Sequence, residues 1–191
     1  RYPTPAQSGV ISSTGETYWK GALSAWAIAM VKRGYAVETL PYNGTITYGN
    51  SSNTQDLSNY KIYVCVEPNI RFTAAEKTAI LQFVQNGGGL FMVADHTASD
   101  RNNDGWDSPA IWNDLMSNNG TVSNPFGITF NLVTFSQTTS AVANLATNSI
   151  LHGAAGNVTQ MKFSSGTSMT LNKTANPNAL GLRLFTGAVT A

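Results

Sequence analysis

Charge is what this chain has least of. Only 11% of its 191 residues are Asp, Glu, Lys or Arg, against about 25% in an ordinary soluble domain. Asn, Ser, Thr and Gly take their place, a composition that suits an extracellular protein better than a cytosolic one. The formal net charge is +1 and no Lys/Arg cluster stands out, which argues against nucleic acid as a partner, because phosphate binding needs a basic face. Cysteine is nearly missing too. Cys65 is the single thiol, so no internal disulfide can form and the fold must hold by packing. It lies inside "KIYVCVEP", the middle of a predicted strand, where a free Cys is usually a small core residue.

Long apolar runs are absent, so no segment predicts a membrane span. The opening "RYPTPAQSGV" lacks signal-peptide character, and a secreted protein would be in its mature form here. No G-x-S-x-G or G-x-C-x-G elbow exposes a Ser or Cys nucleophile above a sheet. No P-loop occurs, and no G-x-G-x-x-G opens a helix after the first strand. "NGGGL" ends one helix and starts the next strand. Nucleotide cofactors are therefore unsupported.

What is present is alternation. Val10-Ile11 is a short apolar start, and "SSTGETYWKGALSAWAIAMVKRGY" repeats Trp19, Leu23, Trp26, Met30 and Val31 at helical spacing, with Gly34 as its stop. Ser13 and Glu16 are spaced as a capping box. "AVETL" predicts a second strand. "KIYVCV" and "LFMVAD" are nearly continuous apolar runs, as in strands buried on both faces of a parallel sheet. Between them "FTAAEKTAILQFVQNGGG" predicts a helix capped by Thr73 and Glu76 and ended by Asn86-Gly87. This order predicts an α/β fold with a doubly wound, mostly parallel, flavodoxin-like sheet. After Met116, "GITFNLVTF", "VTQMKF" and "ALGLRLF" predict a β-rich C-terminal extension of the same single domain. The chain stops just after an apolar strand without a closing helix, which predicts a polypeptide cut or truncated after Ala191. A second chain or a missing C-terminal segment would then complete the fold.

In open α/β sheets ligands bind at the carboxyl ends of the strands. Three strand exits would converge there, bringing Glu16, Glu67, Asp95 and the Asp100–Asp107 loop to one rim. Asp100, Asn102, Asp104 and Gly105 match the opening D-x-[DN]-x-[DN]-G of a calcium loop. The twelfth position is Ile111, so this is no EF-hand, and Asp107, Asp95 or Glu67 would have to complete the ligand shell. Against the metal stands turn chemistry: Asn-Asn-Asp-Gly favours a turn, and Asp107 or Ser108 ahead of Pro109 makes a helix N-cap. His96 follows the fourth predicted strand directly. With Asp95 fixing its tautomer it is a candidate general base. His152 lies in a turn-rich segment whose place relative to the rim the sequence does not give.

The segment "EPNIRFTAAEKTAILQFVQNGGGLFMVADHTASDRNNDGWDSPAIWNDL" resembles a group of secreted bacterial proteins with a class I glutamine amidotransferase-like fold, related to the ThuA-like domains. The resemblance is strongest from Tyr60 to about Asn118 and continues more weakly through "NPFGITFN", "FSQTTS" and "LHGAAGNVTQMKFSSGTSMTL". It implies secretion and a generic hydrolase label. Amidotransferases of this fold use a Cys on an elbow, with His and Glu partners. The comparable position here holds Asp95-His96 and Cys65 is on another strand, so glutaminase chemistry does not carry over.

Three functions are open at this level. The first is a secreted hydrolase using Glu67, Asp95 and His96, with a metal on Asp100, Asn102, Asp104 and Asp107. The second is a non-catalytic module binding carbohydrate or protein, with Trp106 and Trp112 as sugar platforms or as ordinary packing residues. The third is a subunit of an extracellular assembly. Five N-x-S/T sequons, at Asn43, Asn50, Asn119, Asn157 and Asn172, would accept glycans in a suitable secretory pathway.

Overall fold

A computed structural model describes residues 9–142 and 149–182. The chain falls into two compact units, Arg1–Thr45 and Ile46–Ala191. The first is built on one helix, α1 (Ser24–Lys32). Trp19, Ala27 and Ile28 are its buried centre, with Val10, Tyr18, Val31 and Val37 packed around them. The helix starts later than the sequence periodicity predicts. Gly21 sits at φ +114°, a conformation no helix contains, so the preceding residues form turns. The expected Ser13/Glu16 capping box is not used. Instead the Thr14 hydroxyl accepts from the Ile11 amide at 2.8 Å, and the Ser24 hydroxyl donates to the carbonyls of Glu16 and Trp19. Gly34 ends the helix as expected. Neither Val10-Ile11 nor "AVETL" forms a β-strand, because strand propensity becomes a strand only with a neighbour to pair with.

The second unit opens with a loop nucleated by Asp56 and a short 3-10 turn, Leu57–Asn59. Strand β1 (Ile62–Val66), helix α2 (Ala74–Gln85) and strand β2 (Gly89–Val93) follow. β1 and β2 pair in parallel, Ile62 opposite Gly89 through Val66 opposite Val93. Parallel neighbours require a crossover, and α2 supplies it. The Thr73/Glu76 capping box is formed in full. Ala79, Ile80, Leu81 and Phe83 are buried. The glycine run at the helix end has steric causes. Gly87 takes φ +90°, and a Cβ on Gly88 would lie 2.3 Å from the Phe83 ring.

Helix α3 (Ser108–Ser117) buries Ile111, Trp112, Leu115 and Met116. The Trp112 indole donates to the Val93 carbonyl at 3.1 Å and meets the Phe72 ring at 5.4 Å between centroids. Buried Lys77 on α2 pairs with buried Asp114 on α3 at 2.5 Å. It also donates to the Asn118 carbonyl at 3.0 Å.

Beyond α3 the structure is β-rich, as expected, and entirely antiparallel among the described residues. β3 (Ile128–Phe130) pairs with β8 (Met169–Leu171), β4 (Phe135–Thr139) with β7 (Met161–Gly166), and β5 (His152–Gly153) with β6 (Gly156–Asn157). Phe135 and Phe163 stack at 6.0 Å across the β4–β7 pair. Over the described residues the chain is thus an α/β protein with one parallel β1–α2–β2 crossover and short antiparallel pairs. β1 and β2 are half-buried, with Ile62 and Phe91 exposed, where burial on both faces was expected. The last predicted strand, "ALGLRLF", is not a strand over residues 179–182, and the rest of it lies outside the described residues.

Candidate functional site

Because β1 and β2 run parallel in register, their exits lie side by side, and the residues that leave them meet. Glu67 follows β1, and its amide donates to the Val93 carbonyl at 2.9 Å. Its φ is +50°, an unfavourable region for a non-glycine residue. Asp95 and His96 follow β2, with the Asp95 amide donating to the Ser108 hydroxyl at 2.8 Å. Glu67, Asp95 and His96 are all partly open to solvent.

The His96 ring is oriented by its own neighbour. Nδ1 lies 2.5 Å from the Thr97 carbonyl oxygen, a group that can only accept, so Nδ1 carries the proton and donates. Nε2 is left with a lone pair, 3.8 Å from Asp95 Oδ1. The expected role of Asp95 in fixing the tautomer therefore passes to the backbone, and Asp95 stands beside the basic nitrogen instead.

Arg101 ties the rim together. Its Nε and Nη2 each lie 2.7 Å from Glu67 Oε1, and Nη2 lies 3.8 Å from Asp95 Oδ2. Sequence reasoning passed over this residue. The signal was present, since Arg101 is the one Lys or Arg in the run from Asp95 to Asp107 and sits among four carboxylates.

The carboxylates of the 98–107 loop face the loop's own amides. Asp100 accepts from the amides of Asp104 and Gly105, at 3.2 and 2.7 Å. Asp104 accepts from the Trp106 amide at 2.9 Å and the Asn102 side chain at 3.0 Å. Asp107 caps α3 through the Ala110 amide at 3.2 Å and takes the Ala98 amide on its other oxygen at 3.0 Å. Both oxygens of each aspartate are thus engaged. Among the described residues no three His, Cys, Asp or Glu side chains are grouped so as to hold a metal ion.

Glu16 belongs to the first unit. His152 Nδ1 lies 2.9 Å from Asn157 Oδ1 within the β5–β6 pair, and no hydrogen bond or ion pair joins it to Glu67, Asp95 or His96. Trp112 is fully buried and so is no sugar platform, while the Arg71 guanidinium lies 3.9 Å over the Trp106 ring. Burial pushes the Cys65 thiol up to about 11, and a hydrogen bond with Tyr63 offsets only part of that. It is therefore a neutral thiol near pH 7, half-buried in β1 where a core position was expected. Among the sequons, Asn119 is buried, its side-chain amide donating to the carbonyls of Leu115, Met116 and Val122.

No family model, curated protein or solved structure matches the chain. No helix among the described residues is long and apolar enough to cross a membrane.

Proposed function

We propose that Glu67, Asp95 and His96 form a hydrolytic site in a secreted α/β domain of the class I glutamine amidotransferase-like, ThuA-like kind. The β1–α2–β2 crossover would be the centre of its doubly wound sheet. The observation that carries the proposal is the orientation of His96: Nδ1 bound to a backbone carbonyl and Nε2 left basic, open to solvent and beside a carboxylate. That is the arrangement a general base needs. With no Ser or Cys elbow, water is the nucleophile. His96 Nε2 takes a proton from water, the hydroxide oxygen bonds to an acyl carbon, and the proton passes to the leaving group as its bond breaks. Asp95 steadies the imidazolium. Arg101 is near enough to offer hydrogen bonds to a developing oxyanion once it is released from Glu67.

The test is turnover of a panel of nitrophenyl esters, anilides and glycosides by the wild type, His96→Gln and Asp95→Asn. His96→Gln should lower kcat/KM by about 10²–10⁴, the usual worth of a general base, with an unchanged melting temperature. Turnover that survives His96→Gln, or no turnover by the wild type on any substrate, would sink the proposal.

Calcium at Asp100, Asn102 and Asp104 is a separate proposal, and its role would be structural, because calcium is a weak activator of water. Asp107, turned to Ala98 and Ala110, is the weakest member of that ligand set. Each aspartate of the loop already binds two hydrogen-bond donors, so a chain without the ion would keep its melting temperature in EDTA to within about 1 °C, under the roughly 2–4 °C that 1 kcal/mol moves a domain of this size. A fall beyond that, reversed by calcium alone, would place an ion there.

A further inference from the structure

The loop from Ala98 to Asp107 is closed at its base and bonded to itself, yet its tip reaches across to another loop. The base is the hydrogen bond from the Ala98 amide to Asp107 Oδ2 at 3.0 Å, which brings the two ends together as in an Ω-loop. On one side the base is fixed by α3, which Asp107 caps. On the other it is fixed by Thr97, whose amide donates to the Val133 carbonyl at 3.3 Å and whose carbonyl accepts the Thr134 hydroxyl at 3.1 Å. Inside, Asp100 and Asp104 hold the amides of residues 104–106. The loop therefore keeps its shape without help from outside.

The tip is held by different means. Arg101 pairs with Glu67 at 2.7 Å while its side chain remains 64% exposed. The Asn102 side chain donates to the Asn69 carbonyl at 2.7 Å. Exposed polar contacts of this kind are individually weak and screened by salt. Two unfavourable features lie at the same place. Glu67 is held at φ +50°, and the Asn69 side-chain oxygen is shut off from solvent with no hydrogen-bond partner among the described residues, a state that buried polar atoms rarely keep.

We propose that the 98–107 loop is a lid over the strand exits, latched shut by Arg101 on Glu67 and Asn102 on the Asn69 carbonyl, and able to swing as a rigid body about its fixed base. Opening lets water reach the Asn69 oxygen and frees Glu67, Asp95 and Arg101 for a ligand. The stacking of Arg71 on Trp106 joins the same two segments next to the base. The lid does not depend on which reaction, if any, the rim performs.

The test is alkylation of the full chain carrying Asn69→Cys by iodoacetamide, a neutral reagent, with native Cys65 as internal control. The Asn69 backbone carbonyl that accepts from Asn102 is kept in this variant. Adding Arg101→Gln, or 1 M salt with Arg101 intact, should raise the reaction rate of the introduced thiol several-fold. Arg101→Lys should give an intermediate rate, and it serves if the Gln variant folds poorly. The amide protons of Asp104, Gly105 and Trp106 should keep their exchange protection throughout. Equal rates with and without Arg101 would overturn the lid. So would a parallel rise at Cys65, which signals general unfolding, or loss of protection at residues 104–106, which signals a loop that melts instead of swinging.

Discussion

Asp56 is 2% exposed, and its carboxylate survives there because five donors meet it. These are the hydroxyls of Thr47 and Ser58 and the amides of Gly49, Asn50 and Ser58. Burial alone would raise its pKa, but the Ser58 and Thr47 hydroxyls and the amides outweigh it and hold the group well below the usual carboxylate range. A depressed folded pKa contributes stability that is present above the unfolded value, near 3.9, and lost as pH falls through the folded value. Asp56→Asn is therefore expected to cost about 2–3 kcal/mol at pH 7, the scale of hydrogen bonds to a charged group. The difference between variant and wild type should shrink in urea titrations below pH 3. An equal difference at pH 7 and pH 2 would contradict it. Residues like Asp56 and Arg101 are hard to read from sequence because their partners are distant or lie in loops without periodicity. His96 was legible as a candidate because it directly follows an apolar run. What held its ring was not, since that is a backbone carbonyl.

At the scale of elements, Asp107 does two jobs with one carboxylate, capping α3 and closing the loop before it. Asp107→Ala should cost about 2 kcal/mol, the upper end of what N-caps are worth, because the Ala98 amide is orphaned as well. Asp107→Asn should cost less, since Asn is an equally good cap and loses only the second contact. Urea denaturation of the pair checks the order, and equal losses would mean that the closure adds nothing. α2 was legible almost to the residue because its capping box, apolar side and terminal glycines all agree. α1 was not, because periodicity alone extended it through Gly21. β1 and β2 were found as strands from their apolar runs. "AVETL" shows the limit of such patterns, since a short run with apolar Ala36, Val37 and Leu40 says nothing about whether a partner strand lies alongside.

At the scale of the molecule, the second unit is held across its layers by a buried ion pair as well as by its core. Lys77 and Asp114 join α2 to α3, and Arg71 adds a second, more exposed cation 3.6 Å from Asp114. Burial works against the Asp114 charge, while Lys77, Asn118 and Arg71 hold its carboxyl below the ordinary value. Removing one partner leaves a buried charge alone. Lys77→Met is expected to cost about 3–5 kcal/mol, and Lys77→Met with Asp114→Leu much less, because an apolar pair of similar volume often replaces a buried ion pair at little cost. Thermal melts of the single and double variants decide this, and a double variant no more stable than the single would refute it. The overall α/β class could be read from the order of elements. Pairing partners beyond the β1–β2 crossover could not, because the later strands are short, polar on one face and joined by turns that fit several topologies.

The closure at Asp107 bears on how this molecule tolerates change. One carboxylate fixes both where the loop ends and where α3 begins, so residues 99–106 form a cassette whose length can vary without moving the helix against β2. Insertions, deletions or grafted peptides at the tip would leave Trp112 seated beneath Val93. A change at residue 98 or 107 would reach the core.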